Sequence, residues 1–202
     1  MVDDDVQKRV QLIQVQVAVV IFEGQVFTPG PFNTVDIDPR YAGMTSTVKR
    51  KIVDVVRENY DGLALDIRVT PDDPVPTDCT ASTVFFGGSE PGIFGISQAV
   101  DPYNSNHCDE SIIFTDMFTP HYFGNLTASE LGTAIGNVAS HEVGHLLGLN
   151  HVADPTDLMD DTGSPDTLLE DQEFKNSPLD PSIFPIGSQD GLLLLLDIIG
   201  AM

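Results

Sequence analysis

The chain has 202 residues, with 9 Lys and Arg against 31 Asp and Glu and a formal net charge of −22 at pH 7. Such a surface repels a phosphate backbone, which excludes nucleic acid as a partner. The length suits one hydrophobic core, so a single domain divided by a cleft is expected, its acidity read first as a solvated face and second as a site for calcium or cationic substrates.

Met1-Val2-Asp3-Asp4-Asp5 lacks the basic, apolar and small-residue succession of a signal peptide, leaving one already removed as an open alternative. From Val10 to Phe22 the β-branched run predicts a long strand. A loop from Thr28 to Pro39 follows. Val48, Ile52, Val55, Val56 and Tyr60 then recur at helical spacing, predicting an amphipathic helix over Met44 to Tyr60 that closes at Asp61-Gly62. Further strands are predicted at Leu63 to Val69, Ser82 to Phe86, Gly92 to Val100 and Ser111 to Phe118, with an acidic loop at Pro71 to Pro76. The glycines of Gly92 to Val100 suit an edge strand. Thr127 and Glu130 form a capping signature, so a helix is expected from there to Leu147, with Gly148 as its stop. Beyond Asp154 the chain reads as loop until Gln189 to Ile199, where leucines suggest a short buried helix. Its apolar run is too short to span a bilayer. Cys79 and Cys108 each precede a predicted strand. Neighbouring strands would bring them into bridging distance, with two buried thiols as the alternative.

The chemistry concentrates in His141-Glu142-Val143-Gly144-His145-Leu146-Leu147-Gly148-Leu149-Asn150-His151, at the end of the capped helix. Residues four apart share a helix face, so His141 and His145 can aim at one ion. Gly148 lets the chain turn and return His151 as a third ligand. Three imidazoles leave a fourth zinc position for water, whose pKa falls toward about 7, and Glu142 is placed to take its proton as general base. The extended pattern arises by chance in roughly one chain in 10⁵, which makes coincidence a poor explanation.

These residues resemble the metzincin metallopeptidases, whose signature is this motif followed by a methionine turn. Asp157-Leu158-Met159-Asp160 supplies the methionine, and its short distance from His151 is similar to the matrixin branch. The resemblance implies an α/β (α+β) fold: a five-stranded mixed twisted sheet, two long helices and a small irregular C-terminal subdomain across the cleft. In those terms residues 1–151 form the upper part of a single catalytic domain and 152–202 the lower. Met159 would lie beneath the imidazoles as a hydrophobic floor, although an ordinary core methionine would be buried as well. The edge strand carrying Gly95, Ile96, Ser97 and Gln98 would pair with the substrate backbone by β-augmentation; its plainer reading is a glycine-rich hairpin. Two departures stand out. No cysteine precedes the first strand to cap the zinc from a pro-segment, and the Pro-x-Tyr that often follows the turn in matrixins is missing from Asp160-Asp161-Thr162-Gly163-Ser164-Pro165.

His107 and His121, with Asp109 or Asp116, are weak candidates for a second zinc, and Asp36 with Asp38 or Asp72 with Asp73 for calcium. Asn125-Leu126-Thr127 is a glycosylation sequon whose threonine the helix cap already explains. The expectation is therefore a secreted, monomeric zinc endopeptidase acting on peptides, with no membrane partner. The alternatives are a silent zinc domain that binds peptides or a surface, and an acidic calcium-binding adhesion domain. Glu142 counts against the silent domain, because a structural site has no use for a base.

Overall fold

The structure is a computed structural model that describes residues 16–21, 31–76, 78–161 and 164–202. Of the long strand expected over Val10 to Phe22, β1 is Gln16–Ile21, and the rest lies outside the described residues. Around it are β2 (Leu65–Val69), β3 (Ala81–Phe86), β4 (Gly95–Ser97) and β5 (Glu110–Ile113) in the order β2-β1-β3-β5-β4. Every pairing is parallel except β4 with β5, which is antiparallel and leaves β4 at the edge.

One face of the sheet is covered by α2 (Thr45–Asn59) and α4 (Ala128–Leu146), after a short α1 (Thr34–Ile37). The helices approach closely because α4 presents glycines four apart. A Cβ on Gly132 would stand 2.6 Å from Cβ of Lys51, and one on Gly136 2.7 Å from Cβ of Val55. Ile52, Leu131 and Ile135 are fully buried in this contact, each contributing about 1.5–3 kcal/mol over an exposed side chain. The start of α4 is fixed as its sequence predicts: Thr127 Oγ1 accepts from the Glu130 N–H at 3.2 Å, and Glu130 Oε2 accepts from the Thr127 N–H at 2.8 Å. With the start of the helix set, the register of its histidines is set too.

Several boundaries differ from expectation. β4 is only Gly95–Ser97, because the chain before it turns: Gly92 has φ +80 and the Ile93 N–H donates to the Glu90 carbonyl at 3.1 Å. β5 stops at Ile113, not Phe118, and continues as a 3-10 turn, Thr115–Met117. That turn tucks Phe118 into the core, where it stacks on Phe123 at 5.2 Å. Helix α3 (Pro120–Phe123) follows.

The two long helices expected are α2 and α4, and the short helix expected over Gln189 to Ile199 is α5 (Gly191–Ile198). The short α1 and α3 were not expected, and the C-terminal stretch read as loop contains a two-stranded antiparallel sheet, β6 (Asn176–Pro178) and β7 (Ser188–Asp190). The leucine helix α5 is not wholly buried, as its sequence suggested. A run of consecutive leucines points in all directions around a helix. Leu195 and Ile199 therefore reach the core while Leu193 is 62% exposed. No helix among the described residues is long and apolar enough to cross a membrane.

Candidate metal centre and cleft

Helical spacing along α4 sets His141 and His145 on one face, and the chain then turns at Gly148 (φ +103). A Cβ there would also stand 2.7 Å from the Asp101 carbonyl oxygen, so the position is closed to a side chain on steric grounds as well. The turn returns His151 to the other two. Its Nε2 lies 2.9 Å from Nε2 of His145 and 3.1 Å from Nε2 of His141.

The remaining ring nitrogens of the helical pair explain why. His141 Nδ1 is 2.9 Å from the Leu158 carbonyl and His145 Nδ1 is 2.8 Å from the Leu149 carbonyl. A carbonyl only accepts, so both Nδ1 atoms carry the proton and both Nε2 lone pairs are left facing His151. A single proton on His151 Nε2 could bridge only one of these two contacts, whereas a cation among the three nitrogens satisfies every lone pair. Zinc–nitrogen bonds of about 2.0–2.1 Å in a tetrahedral set place the nitrogens roughly 3.3 Å apart, close to the spacing observed. Burial pushes the His141 imidazolium well below its usual range, with the neighbouring His145 and His151 adding to it. Burial likewise lowers His145 to about 4, against the opposing bond to Leu149. Neutral rings are what a metal requires.

The methionine turn supports this set from below. Met159 is fully buried, and its Sδ would be 2.5 Å from a Cβ on Gly144, between the two helical histidines. The Asp157 carboxylate holds the turn, accepting from the Met159 N–H at 2.9 Å and the Ser177 hydroxyl at 2.6 Å. The carbonyl of Leu158, inside the turn, is the one that fixes His141.

Glu142 is 5% exposed, and burial raises its carboxyl to about 7, with the Ser97 hydroxyl working in the opposite direction. That hydroxyl is 2.6 Å from Glu142 Oε2. Backbone direction alternates along β4. The Phe114 N–H donates to the Phe94 carbonyl, and the Gln98 N–H to the Glu110 carbonyl. Phe94, Ile96 and Gln98 thus turn their backbone groups to β5, while Gly95 and Ser97 turn theirs to the free edge. Of the four edge residues named from sequence, only Gly95 and Ser97 therefore have backbone groups available for pairing. Two recesses flank Gly95 and Glu142. One, of about 260 Å³, is lined by Ile93, Val138, Leu168, Asp160 and Asp161 among others. The other, of about 330 Å³, is mostly apolar, with Ile96, Val100, Ile183 and Phe184.

The other candidates lie apart. Cys79 and Cys108 form a disulfide, joining the segments before β3 and β5. His121 is exposed and packs edge-on against Tyr122. Asp38 is engaged by Arg40, and Asp73 by Arg57 and the Val69 N–H. His141, His145 and His151 are the one group of three potential metal ligands among the described residues. Sequence reasoning missed the Ser97 hydroxyl and the two histidine-orienting carbonyls. The Gly144 in the motif was a legible but unused sign of close packing.

The family model for matrixins matches residues 75–176, just over half of the chain and all of the segment that builds this centre. No curated protein sequence matches. Solved structures that this chain matches include an archaemetzincin from Methanopyrus kandleri, 12% identical over 80% of this chain and 89% of that one, with a TM-score of 0.45. A zinc-dependent peptidase from Methanocorpusculum labreanum is 15% identical over 78% of this chain and 93% of its own, with a TM-score of 0.44. Metalloproteinase-II from Bacteroides fragilis is 15% identical over 91% of this chain and 53% of its own, with a TM-score of 0.49. With its three converging histidines inside the matched segment, this chain belongs to the matrixin family of zinc metallopeptidases.

Proposed function

We propose that the chain is a secreted endopeptidase in which His141, His145 and His151 hold zinc and Glu142 is the general base. The observation that carries this reading is the meeting of three Nε2 atoms beside a buried carboxylate, under a strand edge with open backbone groups. Zinc, when bound, supplies a Lewis acid that polarises a carbonyl and acidifies water. Glu142 takes the proton from the attacking water and delivers it to the leaving amine. Gly95 and Ser97 hold the substrate as an added strand, with the scissile bond laid across the cleft. Such pairing needs no chain terminus, which favours internal cleavage. The apolar recess at Val100 and Phe184 suits a large apolar side chain, and the one bearing Asp160 and Asp161 suits a polar or basic one. The disulfide supports an oxidising, extracellular setting.

Peptides acetylated at one end and amidated at the other test the reading. Internal cuts that stop on chelation and resume with added zinc are expected. Cleavage confined to peptides with a free terminus would contradict the endopeptidase assignment.

A further inference from the structure

We propose that Ser97 is the positioning residue for Glu142, holding its carboxylate from the same strand edge that receives the substrate. The inference rests on Glu142 being the base. Ser97 Oγ has two acceptors within reach, Glu142 Oε2 at 2.6 Å and the Glu142 carbonyl oxygen at 3.0 Å, and one proton to give. The shorter contact, to the carboxylate, is the stronger. The other carboxylate oxygen takes up space that only a glycine at position 95 leaves open: a Cβ there would stand 2.7 Å from Oε1 and 2.9 Å from Cγ. Two alternate residues of β4 thus serve the carboxylate, Ser97 by a hydrogen bond to Oε2 and Gly95 by leaving the room that the side chain occupies. Helix α4 sets only where the side chain begins. Glutamate has several rotamers from there, and a base works only within hydrogen-bond reach of the proton it takes.

The test uses zinc-loaded wild type, Ser97→Ala and Ser97→Thr, with Glu142→Ala as background. Removing a hydrogen bond to a charged group should lower kcat by roughly 10- to 100-fold. KM and zinc stoichiometry should stay near the wild-type values, and Ser97→Thr should recover most of kcat. A crystal structure of Ser97→Ala should show the Glu142 carboxylate swung away from β4. An unchanged kcat, a loss confined to KM, or a threonine variant as impaired as the alanine would overturn the assignment. If wild type cuts no peptide, the peptidase reading fails on its own, and the crystal structure decides Ser97: an unmoved carboxylate overturns the positioning role.

Discussion

The sulfur of Met159 occupies the space that a Cβ on Gly144 would enter, only 2.5 Å from that point. The turn after the histidines is thereby pressed against the helix that carries two of them, and its Leu158 carbonyl reaches His141. Gly144→Ala should push Met159 outward. Overpacking of this kind costs about 1–3 kcal/mol, and the zinc dissociation constant should rise with it as the Leu158 contact to His141 lengthens. Thermal melting and competition with a chromogenic chelator measure the two effects. Met159→Leu, close in volume, should cost less in both.

Zinc retention should extend into moderately acidic solution. A histidine whose folded pKa is depressed binds its proton more readily unfolded, so its contribution to stability is complete above about 6.5 and is lost as pH falls through the folded value. His145 is lowered to about 4, and His141 is lowered well below its usual range. In the folded chain protons compete with zinc for these two rings only below the usual histidine range, so zinc content after dialysis should persist to lower pH than a set of solvated histidines would allow. Release centred on pH 6.5 would mean that the rings are solvated.

Asp109 gives the opposite slope. It is 3% exposed, neither carboxylate oxygen meets a hydrogen-bond partner in good geometry among the described residues, and burial raises it to about 6 against the opposing influence of the nearby Ser82 hydroxyl. A carboxyl with a raised folded pKa stabilises most below its unfolded value and loses that contribution as pH rises through the folded one. Asp109→Asn should therefore stabilise the protein by about 1–2 kcal/mol at pH 7 and have almost no effect at pH 4. Urea unfolding at the two values reads this directly.

The Cys79–Cys108 bridge closes a loop with a sequence separation of 29. In the chain-entropy estimate a loop of this size stabilises by about 3–4 kcal/mol. The double serine variant should melt roughly 10 °C lower and, when zinc-loaded at a temperature where it is folded, retain turnover, since neither cysteine lines the cleft recesses.

How much of this was legible in the sequence depends on distance along the chain. The zinc histidines, Glu142, the capping box and Gly148 lie within one helix and its exit, so local periodicity and turn chemistry were enough to place them. The grip of Ser97 on Glu142 spans 45 positions. It depends on the register of β4 against β5, which three residues of alternating burial do not encode. The same limit explains why Gly92 to Val100 read as one long strand: a glycine at positive φ inside an extended pattern is indistinguishable from an edge glycine. In the leucine run before Ile199 composition suggested burial, but only the stripe of Leu194, Leu195, Ile198 and Ile199 meets the core, a fact of tertiary contact.

The most direct measurement is peptide hydrolysis by zinc-loaded Glu142→Ala beside wild type, with zinc stoichiometry determined on both samples. One zinc per chain in each, with turnover in wild type and a fall of at least 100-fold in the variant, is expected of a general base that binds no metal. Equal turnover at equal zinc content would contradict the role of Glu142 and the mechanism built on it.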